Sequence, residues 1–363
     1  MSQRSLIIIF FLFLLLKIPS EAQTHTENVV LITLDGMRWQ EVFQGANEDI
    51  ISSRKYVKDR KQTKDLFWDK DPALRRAKLM PFIWSTVVSE GQMYGNRRLG
   101  NRVDLANRYW FSYPGYNELL TGITDRRINS NARINNPNTT ILEFVNQKKA
   151  YQNKVAVFAS WDVFHYIING QRSGVHINAG NDTAGAQRLS ARETYLNHLQ
   201  KTSPSPWGSV RYDEFTHQYA REYFKKNSPR LMLIAYGETD EYAHQGDYEG
   251  YLRSARKTDD YIREVWDWIQ SDSCYRNKTT MIITTDHGRG KGRNTWKSHG
   301  IARKGSNHTW FMVMGPDTLP LGEMEENKRY FSQQLAKTIA ALLNLSYPVG
   351  GKQGEAVATV FEQ

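Results

Sequence analysis

Cysteine is almost absent from this sequence, Cys274 being the only one in 363 residues. That excludes an intrachain disulfide and any cluster of thiolates around a metal. Stability must come from a buried core, which 40% hydrophobic residues can supply. Long apolar runs are equally scarce. The single unbroken one, residues 6–16, lies between Arg4 and Ser20-Glu21-Ala22. It is short for a bilayer span and reads as the centre of a cleaved secretory signal, residues 1–22. Nothing later is apolar enough to cross a membrane, so the mature chain is expected to be secreted or periplasmic. Internal repeats and nucleic-acid-binding motifs are lacking too. The formal charge of +10 suits an anionic partner, although basic balance most often serves solubility. Asn138, Asn181, Asn277, Asn307 and Asn344 open glycosylation sequons.

What is present is a series of strand-like runs that end on polar residues. Asn28–Leu34 is β-branched and apolar and runs into Asp35-Gly36, where the glycine permits a sharp exit. Residues 47–80 are heavily charged and read as an exposed insertion with some helix. Residues 82–89 read as a helix and 91–100 as a glycine-rich turn. Pro114 fits the first turn of a helix, which places Ser112 at or near its N-cap. Either the hydroxyl only caps that helix, or it stands where free amides favour a negative charge.

Residues 154–160 form the next strand. Residues 165–210 carry no strong strand signal and are expected to be helices and loops over the mouth of a sheet. Residues 213–226 are an amphipathic helix with Phe215, Tyr219 and Tyr223 on its core stripe. The strand at 230–236 is followed by Asp240 and His244, four apart and therefore on one face of a helical turn. A long helix at 248–269 leads to the strand Thr279–Thr284, which ends at Asp286-His287-Gly288. His299-Gly300 lies in a loop beyond it. The last sheet strand is expected at 309–314 and a terminal helix at 328–343.

Strand–helix alternation implies an α/β fold, a three-layer sandwich with a mostly parallel central sheet and helices on both faces. We expect one domain over 23–363, with insertions around 47–80 and 165–210. Asp35, Asp240 and Asp286 follow strands, and His244, His287 and His299 come close behind them. Oxygen and nitrogen donors without sulfur suit Zn²⁺, with Mn²⁺ as the second choice. Six such groups are too many for one tetrahedral ion and enough for two.

In family order, these motifs resemble the alkaline phosphatase superfamily, and most closely its nucleotide pyrophosphatase/phosphodiesterase branch. Leu34-Asp35-Gly36 is similar to the first acidic metal motif, and Ser112-Tyr113-Pro114 to the nucleophile motif. Asp240 and His244 match Asp-x-x-x-His, Asp286-His287-Gly288 matches Asp-His-Gly, and His299-Gly300 ahead of Gly315-Pro316 matches the late His-Gly. The resemblance implies one ion held by Asp240, His244 and His299. It implies a second held by Asp35, Asp286, His287 and the Ser112 oxygen. Ser112 would be the nucleophile, Asn131 a phosphate-binding residue, and the substrate a small anionic phosphoester. Two departures stand out: Gly115 and Tyr116 replace the usual Asn and His. His308 competes with His299 as the final ligand, and spacing favours His299.

The implied activity is hydrolysis of phosphoric mono- or diesters. A phosphomutase is the alternative within the superfamily, though the short chain argues against a second domain that hands the phosphoryl group back. A sulfatase would need an Arg where Tyr116 stands. A catalytically silent binding protein would have lost a ligand, and none is lost. Arg108, Arg126, Arg133, Arg289, Lys291 and Arg293 are basic residues that could orient phosphate, while Tyr113, Tyr116 and Trp161 could stack on a ring.

Overall fold

Asn28–Leu34 is buried at every position and forms β1, the strand about which the sheet is laid out. The computed structural model describes residues 24–185, 188–348 and 354–361, so the expected signal at 1–22 lies outside it. The further strands are β2 Gly91–Tyr94, β3 Arg102–Asp104, β4 Val155–Ala159, β5 His176–Ala179, β6 Leu231–Tyr236, β7 Thr279–Thr284, β8 His308–Thr309, β9 Phe311–Met314, β10 Gly322–Glu323 and β11 Arg329–Phe331. Eight of them form one sheet in the order β10-β2-β9-β7-β1-β6-β4-β5. From β7 through β5 the pairing is parallel, whereas β9 runs antiparallel to both β7 and β2. The other three form a small sheet ordered β11-β3-β8.

Side chains of a strand alternate between faces, and this sheet has a separate core on each. Val30, Ile32 and Leu34 of β1 enter one, with Met232 and Ile234 of β6 and Met281 and Ile283 of β7. The helices Asp213–Asn227 and Tyr248–Ser271 cover that face through Phe215, Tyr219 and Phe224, and through Leu252, Ile262 and Val265. Val29 and Leu31 enter the second core with Leu231, Leu233 and Ile282. There the helices Ser112–Thr121, Ile141–Asn146 and Gln334–Leu342 close the layer. Each large aliphatic side chain buried this way contributes about 1.5–3 kcal/mol. The three-layer α/β expectation holds, and strands buried on both faces explain their unbroken apolar runs.

Several local expectations do not hold. Residues 91–94 are strand β2 and not turn, because an antiparallel partner, β9, gives them a ladder that no short window of sequence reveals. Residues 165–210 contain β5, a short edge strand whose pattern is too brief to read. The run 309–314 breaks at Trp310: His308–Thr309 joins the small sheet and Phe311–Met314 the large one. It is not the last strand either, since β10 and β11 follow. The terminal helix begins at Gln334, and residues 329–331 pair with β3 instead. The insertion at 47–80 does hold helices, Glu48–Ile51, Arg60–Phe67 and Pro72–Leu79, each started by a side-chain cap from Asn47, Asp59 or Asp71.

Candidate metal centre

Three neighbouring parallel strands, β7-β1-β6, bring their carboxyl ends to one rim about 5 Å apart from strand to strand. Asp35 follows β1 in the middle, Asp286 follows β7 on one side, and Asp240 lies in the first turn of the helix after β6 on the other. Their convergence is therefore a consequence of strand order. Gly36 makes the turn at φ 60°, and its amide donates to Asp286 Oδ1 at 3.0 Å. A Cβ on Gly36 would lie 2.5 Å from Asp240 Oδ1, so a larger residue there would displace that carboxylate as well as strain the backbone.

His287 stands between the acids. Its Nδ1 lies 2.9 Å from the Gly288 carbonyl, which can only accept, so Nδ1 carries the proton and the Nε2 lone pair points into the cluster. Nε2 is 3.4 Å from Asp35 Oδ1, 3.4 Å from Asp286 Oδ2 and 3.9 Å from Asp240 Oδ1. On the Asp240 side, His244 Nε2 is 3.0 Å from Asp240 Oδ2 and 2.9 Å from His299 Nε2. His299 Nε2 is 3.8 Å from Asp240 Oδ1. Two compact donor sets result, Asp35–Asp286–His287 and Asp240–His287–His299, with His287 common to both.

The residues present fit divalent cations. Asp35 Oδ1 and Asp286 Oδ2 are buried without a hydrogen-bond partner, although each faces the His287 lone pair. Burial, followed by the charges of Asp286 and Asp240, holds the Asp35 carboxyl well above the usual carboxylate range. Burial raises Asp286 as well. Burial would also raise Asp240, but the Arg289 guanidinium, followed by His244, outweighs it and holds that carboxyl well below its ordinary value. His299 is pushed down first by burial and also by the nearby Arg289 charge, and so offers a neutral nitrogen. Crowded carboxylates and aimed imidazole lone pairs are what a bound cation relieves.

Ser112 is brought to the same place. The N-cap of its helix is Phe111 and no side chain caps it, so Ser112 is the first helical residue and the capping role fails. Its Oγ lies 3.3 Å from His287 Nε2. Asn131 also arrives here: its Oδ1 accepts the Tyr113 amide at 3.0 Å, one residue from Ser112. Gly115 permits the helix to sit against the tip of β7, since a Cβ there would lie 2.4 Å from the Asp286 carbonyl oxygen.

His308 is elsewhere. It sits on β8 in the small sheet, where burial and the charges of Arg97, Lys291 and Arg329 push its pKa down to about 3. Tyr113 and Tyr116 are buried and do not stack on a ligand; the Tyr116 hydroxyl lies under the site, 3.3 Å from Asp35 Oδ2. Of the basic residues, Arg108, Arg126 and Lys291 are exposed, Arg133 pairs with Asp162, and Arg293 reaches Ser53. Arg289 is 1% exposed and donates to Asp240, so it is part of the centre and does not await a phosphate.

Two supports were not legible beforehand. Glu118, fully buried, accepts the amides of Ala106 and Asn107 at 2.7 and 2.8 Å and holds the loop that leads to Ser112. The buried Arg38–Glu41 pair reaches the Gly290 carbonyl at 2.9 Å and fixes the loop after His287. Glu118 lies 12 and 11 residues from the two amides it accepts and Arg38 lies 252 from Gly290, spacings that no motif marks.

A sequence model of the metalloenzyme superfamily matches residues 112–346, well over half of the chain. The chain belongs to that superfamily. The match starts at Ser112 and takes in every candidate site residue except Asp35. A 2,3-bisphosphoglycerate-independent phosphoglycerate mutase of Gracilaria tenuistipitata var. liui is 25% identical over 123 residues, 34% of this chain and 23% of the mutase. The alignment thus spans less than a quarter of that relative.

Among solved structures, wild-type alkaline phosphatase PafA matches with a TM-score of 0.59 at 10% identity, covering 94% of this chain and 99% of PafA. Phosphonate monoester hydrolase from Silicibacter pomeroyi matches at 0.56 and 14%, covering 93% and 76%. Murine ectonucleotide pyrophosphatase/phosphodiesterase 5 matches at 0.53 and 12%, covering 90% and 97%. At such identities these neighbours establish the fold, that of the alkaline phosphatase superfamily.

Proposed function

We propose that this metalloenzyme is an exported hydrolase of phosphoric esters in which Ser112 is the nucleophile. The observation that carries the reading is the placement of Ser112 Oγ, at a helix start and 3.3 Å from His287 Nε2, beside two buried carboxylate oxygens that lack partners. Asp240, His244 and His299 would hold one divalent ion; Asp35, Asp286, His287 and Ser112 Oγ would hold another, with Zn²⁺ favoured by the donor set. Bound ions in such a centre supply Lewis-acid stabilisation of the attacking and departing oxygens.

Ser112 Oγ attacks phosphorus, the ester oxygen departs in line on the opposite side, and water then hydrolyses the phosphoserine. The first-turn amides and the helix dipole favour the negative oxygens gathered there. Asn131 offers the phosphate its Nδ2 hydrogens, because the Tyr113 amide occupies its oxygen. The superfamily fold and the acid–imidazole cluster support hydrolysis over simple binding, since all seven residues inferred from sequence as ligands or nucleophile lie together. The reading includes a signal at 1–22, a single hydrolase domain from 23 to 363, and a secreted or periplasmic location. Among the described residues no helix is long and apolar enough to cross a membrane.

The test is to assay zinc-loaded and chelated protein against aryl phosphate monoester, diester and sulfate, alongside Ser112→Ala. Phosphorus-ester turnover should vanish with the chelator and in Ser112→Ala. Persistence in that variant sinks the mechanism, and return of the phosphoryl group to another hydroxyl of the same substrate, with no net release of phosphate, would indicate a mutase.

A further inference from the structure

Arg289 follows Asp286-His287-Gly288, and its guanidinium is spent wholly inside the protein. One nitrogen, Nη1, donates to Asp240 Oδ1; Nε donates to the Trp296 carbonyl at 2.9 Å and Nη2 to the Lys297 carbonyl at 2.7 Å. A guanidinium keeps its charge at any working pH, so this is a fixed cation on one acid of the centre.

Asp240 and the His299 loop each have anchors besides Arg289. The helix Glu238–Gln245 is fixed at its start by Asp213, which accepts the Gly237 and Glu238 amides at 2.8 and 3.1 Å. Thr239 Oγ1 ties the same turn to the Asp35 carbonyl at 2.6 Å. The loop ahead of His299 is anchored by Trp296, fully buried against Tyr56, Tyr248 and Tyr251 with ring centroids 5.0 to 5.7 Å away. Besides its two bonds to that loop, Arg289 adds a charge at Asp240. The two halves of the centre are unequal in this respect: Asp240 accepts directly from a permanent cation, while Asp35 Oδ1 and Asp286 Oδ2 accept no hydrogen bond and the Arg289 charge reaches Asp35 only as a lesser influence.

We propose that Arg289 is a resident cation that competes with the divalent ion at Asp240, so that the two halves fill unequally. The Asp35–Asp286–His287 half binds tightly and first, and the Asp240–His244–His299 half binds weakly and exchanges. This rests on the two-ion hydrolase reading above. The physical argument is Coulombic: a guanidinium already bonded to Asp240 Oδ1 offsets part of the negative charge that a dication would draw on, and at an effective dielectric of about 20 such close charges are not screened out. Arg289 is thus a positioning residue that tunes occupancy through Asp240 and does not touch substrate.

The experiment titrates the chelator-stripped full chain with Zn²⁺ and with Mn²⁺, reading bound metal directly. The wild type should show two dissociation constants at least tenfold apart. In Arg289→Met the weaker constant should tighten at least tenfold and by clearly more than the tighter one. Arg289→Lys, which keeps the charge, should stay near the wild type. An Arg289→Met protein whose weaker constant is unchanged or looser overturns the proposal, as does an Arg289→Lys that tightens equally. Should Arg289→Met fail to fold, Arg289→Gln takes its place in the same titration. Two equal constants in the wild type also refute it. A wild type that binds no ion sinks the hydrolase reading itself, whereas two bound ions and Ser112-dependent turnover with an unresponsive Arg289→Met sink only the present inference.

Discussion

Gly115→Ala separates the demands of local helix stability from those of the centre. Gly115 lies in the first turn of the helix Ser112–Thr121, where replacement of glycine by alanine would ordinarily stabilise by about 1 kcal/mol. Here the added methyl would stand 2.4 Å from the Asp286 carbonyl oxygen and 3.1 Å from its carbon. Both are backbone atoms at the tip of a central strand, so the helix must retreat by roughly 1 Å to regain van der Waals contact. Overpacking of this kind typically costs about 1–3 kcal/mol, which cancels or exceeds the propensity gain. Ser112 rides on the same turn, so its Oγ moves away from His287 by a similar amount. A displacement near 1 Å can lower a rate about a hundredfold. We therefore expect Gly115→Ala to fold, to retain the ion at Asp240, His244 and His299, and to lose about two orders of magnitude in kcat on an aryl phosphate ester. Wild-type kcat in this variant would refute the argument that contact with Asp286 seats the nucleophile.

Further outcomes follow from other contacts. His299→Ala should lose one bound ion per chain by metal analysis, and His308→Ala none; loss in the second and not the first would reverse the assignment. Asp259, buried against the Phe82 and Ile83 amides, has its pKa raised to about 7 by burial. A carboxyl raised in the folded state stabilises below its unfolded value near 4 and loses that contribution as pH climbs through about 7. Urea unfolding should thus show stability falling between pH 4 and 7, with a shallower fall in Asp259→Asn; identical slopes would exclude Asp259 as a source. Glu118→Gln replaces an acceptor by a donor facing two amides, an unsatisfied buried group worth about 1–3 kcal/mol. Its denaturation midpoint should drop accordingly, and an unchanged midpoint would remove Glu118 as the anchor of the loop before Ser112.

Much was determined by the order of residues alone. The long central strands β1, β4, β6 and β7 are legible because burial on two faces demands an unbroken apolar run. The acids and histidines were legible because they follow those runs at short, fixed distances. The weak points were β2, β5 and the pair β8–β9, which are short and take their ladders from segments far away in the chain. Only the tertiary structure decided that β7, β1 and β6 lie side by side, and with that where Asp35, Asp240 and Asp286 meet. It also set His299 beside Asp240 and His308 on β8, buried Tyr113 and Tyr116, and turned Arg289 inward onto Asp240. The physical reason is that burial and periodicity are local properties, readable within a window of residues, whereas the field at a cluster of charges depends on which distant strands become neighbours.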